Sequence, residues 1–296
     1  MNAAPEQSGD ATDASTWREV LVDTQQALGS ERDARLLCEH AAGLDAREFS
    51  ASLEEPVTQR MALHLRDMVR RRISGEPLQY VMGRWAFRHL DLLVDQRVLI
   101  PRPETELVAE TALQLARAVT PRVVVDLGTG SGAIGLSLAH ELPLEGTTVW
   151  LADNSLDALD VARANAVGIG RAGANVRIAH GDWFAALPGE LRGAIDVLVS
   201  NPPYIAVGDP EADANVVAHE PHAALYSGAD GLDALRTVIR GAAIWLRPGG
   251  ALVAEIGFRQ GDAVRALCVE AGLQEVEVRR DYAGRDRILV ARRYAD

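Results

Sequence analysis

Short apolar strands alternate with helical segments over the last two thirds of the chain, and this alternation limits the fold most strongly. Parallel strands need a crossover connection that is usually a helix, so the pattern predicts an α/β fold with a mostly parallel sheet covered by helices on both faces. The predicted strands span residues 123–127, 148–152, 176–180, 194–200, 251–256, 275–280 and 287–292. Only residues 281–286 separate the last two strands, which predicts a hairpin with one antiparallel strand.

The N-terminal part of the chain has helical periodicity instead. Thr16 and Glu19 have the spacing of a capping box, and further helices are predicted over residues 31–42, 46–53 and 58–73. Two strands over 84–89 and 92–100 then predict a connecting β-hairpin. The resulting domain prediction is a disordered tail over 1–14, a small helical bundle over 15–80, a hairpin linker over 81–102 and an α/β domain over 103–296.

Charge and composition narrow the possible functions. The net charge of −12 argues against stable nucleic-acid binding, because counterion release by basic residues drives such binding. We interpret Arg66, Arg70, Arg71 and Arg72 as a solvated helix end. The sequence has neither an apolar run of membrane-spanning length nor a signal-peptide pattern, and its two cysteines lack metal-ligand spacing. We therefore expect a cytoplasmic protein without a membrane or metal site.

A glycine-rich loop follows the first strand of the predicted sheet. Gly128, Gly130 and Gly132 permit a tight turn and let a ligand approach bare backbone before the helix that starts at Ala133. The loop also fits the loose dinucleotide pattern G-x-G-x-x-G/A, and a plain strand-to-helix turn is the structural alternative.

Polar and aromatic residues stand at the ends of the neighbouring strands. Asp153 ends the second strand, where a carboxylate can accept hydrogen bonds from both hydroxyls of a ribose. Asp182 and Trp183 follow the third strand and could border an adenine, with core packing as the alternative for Trp183. Asp126 is expected to orient the glycine loop or a ligand ammonium. Ligands of open α/β sheets bind at the carboxyl ends of strands, so these positions predict a nucleotide-type cofactor.

The fourth strand runs into Asn201, Pro202, Pro203 and Tyr204. Asn-Pro is a good turn initiator, but a plain turn seldom needs two prolines and an aromatic residue. The Asn201 side-chain oxygen and the Pro202 carbonyl can accept both N–H bonds of a planar amide or amine, and the prolines stiffen the loop. The Tyr204 ring can pack on the planar group. This arrangement suits methyl transfer from a sulfonium to nitrogen by positioning, without a strong general base.

Together these motifs resemble those of methyltransferases that use S-adenosylmethionine and act on amino or amide nitrogen. The resemblance extends along the chain to the peptide chain release factor glutamine methyltransferases. It is carried by residues 75–80, 100–106, 219–221, 228–232 and 280–287 in addition to the loops above. That family methylates the glutamine of the Gly-Gly-Gln loop in bacterial class I release factors, and it has an N-terminal helical bundle, a hairpin and a Rossmann-like catalytic domain.

The resemblance implies roles for individual residues. It implies that the N-terminal bundle docks the release factor and that the product of S-adenosylmethionine is S-adenosylhomocysteine. The implied catalytic residues are Asn201, Pro202 and Tyr204. The implied cofactor residues are Asp126, Gly128, Thr129, Gly130, Ser131, Gly132, Asp153, Asp182, Trp183 and Asn201. The implied substrate residues are Asn201, Pro202, Pro203, Tyr204 and Arg102.

Several alternative functions remain open at this point. A sister family methylates a glutamine of a ribosomal protein, and DNA adenine methyltransferases also use Asn-Pro-Pro-Tyr on a flipped base. The acidic charge disfavours the DNA enzyme. A nicotinamide oxidoreductase leaves residues 201–204 without a task, and a non-catalytic binding module leaves the glycine loop unexplained as well.

Overall fold

The computed structural model describes residues 15–211 and 213–294 of the chain. They belong to two compact units, one ending at Met82 and the other beginning at Gly83. The predicted disordered tail over residues 1–14 lies outside the described residues. The predicted hairpin falls within the second unit.

The first unit is a small helical bundle. Its helices are α1 (Trp17–Leu28), α2 (Glu31–Ala42), α3 (Ala46–Ala51), α4 (Gln59–Ile73) and α5 (Leu78–Met82). The capping box is confirmed, since the Thr16 hydroxyl accepts the Glu19 N–H and the Glu19 carboxylate accepts the Thr16 N–H. In the core of this unit, Trp17 and Phe49 pack edge to face with ring centroids 5.4 Å apart.

The arginines at the end of α4 pair largely with carboxylates. The ion pairs are Arg70–Asp67, Arg71–Glu76 and Arg72–Asp33. Their charges are therefore partly neutralised within the unit. The interpretation as a solvated helix end stays a prediction.

The second unit begins with an antiparallel hairpin of β1 (Arg84–Phe87) and β2 (Leu90–Leu93). The predicted extent of its second strand, 92–100, is wrong. Asp95 turns the chain after β2, because its carboxylate accepts the Arg97 N–H and its carbonyl accepts the Val98 N–H.

The described part of the second unit contains a seven-stranded sheet. Its strands are β3 (Arg122–Leu127), β4 (Thr147–Asp153), β5 (Val176–His180), β6 (Ile195–Ser200), β7 (Leu246–Glu255), β8 (Leu273–Arg280) and β9 (Asp286–Arg293). Their spatial order is β5-β4-β3-β6-β7-β9-β8. Strand β9 is antiparallel to both of its neighbours, and the other pairs are parallel. The mostly parallel sheet and the antiparallel hairpin at its edge are confirmed.

Helices connect and cover these strands. They are α6 (Thr105–Arg117), α7 (Ala133–Glu141), α8 (Leu156–Gly168), α9 (Ala214–His219), α10 (Asp233–Trp245) and α11 (Gly261–Glu270). Val125 and Leu127 of β3 are fully buried in a cluster with Val238 of α10 and Val264 of α11. Alternate residues of a strand face opposite sides, so Asp126 points to the other face, toward α7. Among the described residues, no helix is long and apolar enough to cross a membrane.

Strand β7 begins earlier than the predicted 251–256. Residues 248–250 are Pro-Gly-Gly, which indicates a turn in the sequence. In the sheet, however, Leu246 pairs with Ile195 of β6, and a shift in register follows before Ala251 pairs with Val197. The irregularity absorbs the proline and glycines while the pairing continues.

Arg88 ties the hairpin turn to two helices of the second unit. Its guanidinium contacts Glu110 of α6 at 2.7 Å and Glu141 of α7 at 2.6 Å, and only 11% of its side chain is exposed. Its backbone N–H donates to the Glu106 carboxylate although its φ of 51° lies in the left-handed region. The Arg88 charge and hydrogen bonds hold the pKa of Glu110 and of Glu141 below the usual value.

We expect Arg88→Met to lower the free energy of unfolding by about 3 kcal/mol, because it removes both hydrogen bonds that the guanidinium donates to the buried Glu141 carboxylate. Urea denaturation measures this loss. A carboxylate whose pKa is lowered by folding contributes its full stabilisation above its unfolded pKa and loses it as the pH falls through its folded pKa. The difference in stability from the unaltered protein should therefore shrink as the pH falls below about 4. Arg84→Met is the control, because Arg84 and Asp91 form an exposed pair. Equal losses in both variants would contradict the role of Arg88.

Candidate active site

A cavity lies at the carboxyl ends of β3, β4, β5 and β6, beside the point where the strand order reverses. Nine residues singled out from the sequence line it: Asp126, Gly128, Thr129, Gly130, Ser131, Asp153, Trp183, Asn201 and Pro203. Five others do not belong to the lining: Gly132, Asp182, Pro202, Tyr204 and Arg102. The fold therefore brings together loops that are far apart in the sequence, while the individual roles stay predictions.

The glycine loop is held from below by the Asp126 carboxylate. Its Oδ2 atom accepts hydrogen bonds from the Thr129 hydroxyl at 2.7 Å and from the Gly135 N–H at 2.9 Å. Gly135 has no room for a side chain, because a Cβ atom there would lie 2.1 Å from the Leu151 side chain. Gly132 has a φ of 86°, which a residue with a side chain rarely adopts. The loop thus needs glycine both for its turn and for the close approach of α7 to the sheet.

The second oxygen of Asp126 is the most informative atom of the site. Asp126 is 1% exposed, and its Oδ1 atom is buried without a hydrogen-bond partner among the described residues. Burial raises the pKa of Asp126 to about 6, while the hydrogen bonds from Thr129 and Gly135 lower it. A buried acceptor beside a cavity fits a cationic ligand group, since unsatisfied buried polar atoms are costly.

Asp153 joins two loops at the mouth of the cavity. Its Oδ2 atom accepts the Gly130 N–H at 2.9 Å, and its Oδ1 atom accepts the Ser155 N–H at 2.9 Å. Each carboxylate oxygen has more than one acceptor site, so the group can still bind two hydroxyls of a ribose. The same residue therefore orders the glycine loop and offers acceptors to a ligand.

Trp183 lies next to the glycine loop and has a φ of 45°. Its ring edge lies 3.8 Å from the position that a Gly128 Cβ atom would take. The ring is partly buried against the apolar cluster below the sheet and also lines the cavity, so packing and ligand contact are compatible here. Asp182 is exposed outside the cavity lining.

Asn201 and Pro203 line the cavity, whereas Tyr204 is held behind them. The Tyr204 hydroxyl donates to Glu255 Oε1 at 3.1 Å, and its carbonyl accepts from the Gln260 side chain at 3.0 Å. Burial raises the pKa of Tyr204, which stays protonated. The loop is rigid because its prolines and both ends of Tyr204 are fixed.

Beside Asn201 lies a buried polar network that the sequence reasoning missed. Its Thr105 lines the cavity together with Asn201, whereas Glu255 and Arg287 lie outside the lining. Asn201 Nδ2 lies 3.3 Å from the Thr105 hydroxyl, which donates to Glu255 Oε2 at 2.6 Å. Arg287 donates to the Tyr204 hydroxyl at 3.4 Å and to the Ile256 carbonyl at 3.1 Å. The one signal in the sequence is an ionisable residue, Glu255, directly after the apolar run of residues 251–254.

Arg102, predicted to bind substrate, is paired within the protein. Its guanidinium donates to Glu220 Oε1 at 2.5 Å, and Glu220 Oε2 accepts the Ile100 N–H at 3.0 Å. Glu220 is 5% exposed, so this pair anchors the segment before α6 to the segment after α9. A substrate contact by Arg102 stays a prediction.

Comparison with known proteins finds relatives that are similar to this chain over most of its length. Residues 19–83 match the PrmC N-terminal domain family, and residues 105–265 match the methyltransferase small domain family. The chain is 44% identical to the release factor glutamine methyltransferase of Xylella fastidiosa (strain 9a5c), with 88% of this chain and 92% of that protein covered. Proteins of the same name from Burkholderia pseudomallei (strain K96243) and Moorella thermoacetica are 43% and 42% identical, with 86% and 94% of this chain and 89% and 99% of those proteins covered.

The chain belongs to the release factor glutamine methyltransferase family. It is therefore an enzyme that uses S-adenosylmethionine, as the sequence predicts. This membership excludes the nicotinamide oxidoreductase and the non-catalytic binding module. The cavity of this methyltransferase fits the cofactor, because the unpartnered Asp126 Oδ1 suits an ammonium and the Asp153 carboxylate suits a ribose.

We expect Asp153→Ala to weaken S-adenosylmethionine binding at least tenfold, because a hydrogen bond to a charged group contributes about 1.5–3 kcal/mol. Isothermal titration calorimetry measures the affinity. Asp157→Ala is the matched control, since Asp157 is exposed in the first turn of α8 and lies outside the cavity lining. Unchanged affinity of the Asp153 variant would refute the ribose assignment.

Proposed function

We propose that this methyltransferase transfers a methyl group from S-adenosylmethionine to the side-chain amide nitrogen of the glutamine in the Gly-Gly-Gln loop of bacterial class I peptide chain release factors. The observation that carries the proposal is that Asn201 and Pro203 line the same cavity as the Asp126 and Asp153 carboxylates. A binding site for an amide and a binding site for a charged nucleoside are thus adjacent. The names of the relatives support the choice of substrate.

The chain's main task toward the substrate is to orient a weak nucleophile. The lone pair of an amide nitrogen is delocalised into its carbonyl, so the nitrogen attacks carbon poorly. Asn201 Oδ1 and the Pro202 carbonyl accept its two N–H bonds, which aligns the nitrogen and favours a more pyramidal geometry. Tyr204 supports the loop through its bonds to Glu255 and Gln260.

When bound, S-adenosylmethionine supplies a methyl group whose bond electrons stay on the sulfur, while the amide nitrogen takes the methyl group and then loses a proton to water. Asp126 Oδ1, which lacks a partner among the described residues, would accept a hydrogen bond from the ammonium of the cofactor. Asp153 would accept hydrogen bonds from its ribose hydroxyls, and Trp183 would border its base; both residues line the cavity. No strong general base is needed, because the alkylated nitrogen is acidic. Positioning and fixed hydrogen-bond acceptors therefore supply the catalysis.

We expect Asn201→Ala to lower kcat for methylation of a release factor at least roughly 100-fold, the usual cost of losing one group that stabilises a transition state. Cofactor affinity should stay within a few-fold, because Asp126 and Asp153 remain. Steady-state transfer of labelled methyl groups and calorimetry measure the two effects. Asn175→Ala is the control, since Asn175 lies outside the cavity lining and bonds the Leu144 carbonyl. A kcat of the Asn201 variant equal to that of the unaltered protein would refute the mechanism.

The substrate itself is tested with labelled S-adenosylmethionine and three purified candidates: a class I release factor, ribosomal protein and double-stranded DNA. We expect label on the release factor, located by mass spectrometry on the glutamine of its Gly-Gly-Gln loop. A release factor with glutamate in place of that glutamine is the control and should take up no label. Label on the ribosomal protein or the DNA instead would replace the proposal with one of the alternatives.

The N-terminal helical unit is the proposed docking surface for the release factor. It matches its own family, separate from the catalytic match, and it has a core of its own built around Trp17 and Phe49. Such a unit can add contacts to a folded substrate without touching the chemistry.

We expect a chain without residues 1–82 to show a KM for intact release factor raised at least about tenfold, with cofactor affinity unchanged. A short peptide that contains Gly-Gly-Gln is the control substrate, and its KM should hardly change. An equal loss on peptide and intact factor would instead indicate damage to the catalytic unit. An unchanged KM for intact factor would remove the docking role.

The proposed place of action is the cytoplasm, where release factors work. The two cysteines, Cys38 and Cys268, are both free and buried. Burial raises the pKa of the Cys38 thiol to about 11 and that of Cys268 to about 12, so both stay protonated and unreactive. Unpaired structural thiols of this kind suit a reducing compartment.

A further inference from the structure

We propose that Thr105 and Glu255 fix the orientation of the Asn201 side-chain amide, so that its oxygen faces the substrate and its nitrogen faces the protein. Both are positioning residues, because they act on the reaction through Asn201. The proposal rests on the proposed function and adds the mechanism by which its acceptor is held.

The orientation of this amide matters because its two ends have nearly the same shape and opposite hydrogen-bonding properties. Only Oδ1 can accept a hydrogen bond from a substrate N–H, whereas Nδ2 is itself a donor and would repel that N–H. The backbone does not distinguish the two ends, since a rotation about the last side-chain bond exchanges them. The surrounding hydrogen bonds must therefore select one.

The buried Glu255 carboxylate makes this selection through Thr105. An ionised carboxylate can only accept, and Glu255 is fully buried with the Thr105 hydroxyl 2.6 Å from its Oε2 atom. The single hydroxyl proton of Thr105 is therefore donated to Glu255. Toward Asn201 the Thr105 oxygen then presents only lone pairs, which bind Nδ2 at 3.3 Å and would repel Oδ1. The acceptor end of Asn201 is left facing the cavity.

The other oxygen of Glu255 also accepts a hydrogen bond, so both carboxylate oxygens act as acceptors. Oε1 accepts the Tyr204 hydroxyl at 3.1 Å, and Tyr204 in turn accepts from Arg287 at 3.4 Å. Arg287 lies 3.6 Å from Asp281, which balances its charge. Thr105 from α6, Tyr204 from the loop after β6 and Arg287 from β9 thus face the Glu255 carboxyl from three elements.

Protonation of Glu255 would remove the selection. A protonated carboxyl can donate to the Thr105 oxygen, so the Thr105 proton is no longer needed for Glu255. The Thr105 hydroxyl can then donate to Asn201 Oδ1, which favours the amide orientation with Oδ1 facing the protein. Burial raises the pKa of Glu255 to about 7; Thr105, Arg287 and Tyr204 lower it, and the Glu104 charge raises it. The aligned form is present above this pKa and is lost as the pH falls through it, so methyl transfer should fall on the acid side.

The test compares variants of full-length protein in methylation of the release factor. We expect Thr105→Val, which keeps the shape and removes the hydroxyl, to lower kcat at least tenfold with cofactor affinity within twofold. Thr105→Ser should recover most of that loss, because it restores the hydroxyl. Thr111→Val is the matched control on the same helix, since the buried Thr111 hydroxyl donates to the Leu107 carbonyl of its own helix and Thr111 is not part of the cavity lining. Its kcat should be unchanged.

A second measurement needs no substrate. The ¹⁵N-labelled side-chain amide signal of Asn201, assigned by its loss in Asn201→Ala, should shift with pH around a midpoint near that of Glu255. In Glu255→Gln, which cannot ionise, both this shift and the acid limb of the kcat profile should disappear. Because the signal is read without turnover, it stays informative even if the release factor is not the substrate.

Wild-type kcat in a folded Thr105→Val variant would overturn the proposal. The proposal would also be overturned if the pH-dependent shift of the Asn201 signal and the acid limb of the kcat profile persisted in Glu255→Gln. Should Thr105→Val fail to fold, as judged by cofactor affinity, the Glu255→Gln comparison decides alone. Loss of kcat together with loss of cofactor affinity in both variants would indicate a merely structural network and would also overturn it.

Discussion

The parallel pairing of β3 with β4 on one side and β6 on the other is the constraint on which the site depends. Parallel neighbours end at the same edge, so the loops after these strands must meet, although the glycine loop and Asn201 are far apart in the sequence. Side-chain hydrogen bonds add to the backbone pairing at these strand ends: the Gly130 N–H donates to Asp153 at 2.9 Å, and the Ser200 hydroxyl donates to the Leu127 carbonyl at 2.6 Å. The order of the strands therefore places the loops that form the cavity next to one another, independently of any ligand.

Two buried carboxylates have similar surroundings: Asp126 lines the cavity, and Glu255 is connected to it through Thr105. Each lies at or next to the last residue of its strand, accepts a hydrogen bond from a threonine hydroxyl and has a pKa that burial raises. Asp126 keeps one oxygen without a partner among the described residues, which suits a cation, while both oxygens of Glu255 are occupied and orient other groups. Burying such groups costs stability, and native proteins accept that cost mainly where function requires it.

Much of the fold could be predicted because the local pattern and the tertiary structure agree. Helices α1 to α4 begin directly after capping residues, and the strands of the sheet are largely apolar runs that end in polar loops. The errors occur where a tertiary contact competes with a local signal. The strand predicted over 92–100 stops at Asp95, whose carboxylate turns the chain, and β7 continues through a Pro-Gly-Gly segment because β6 pairs with it.

By itself, the sequence determined which residue types stand at the strand ends: the glycine loop, Asp153 and residues 201–204 follow apolar strands, and periodicity is enough to locate them. Only the tertiary structure decided that Arg102 pairs with Glu220, that one oxygen of Asp126 has no partner within residues 15–211 and 213–294, and that Glu255 reaches Asn201 through Thr105. Thr105 and Glu255 are separated by 150 positions. Periodicity reports which face of an element a residue occupies, whereas such pairs depend on strand order and register, which are set by the packing of the whole unit.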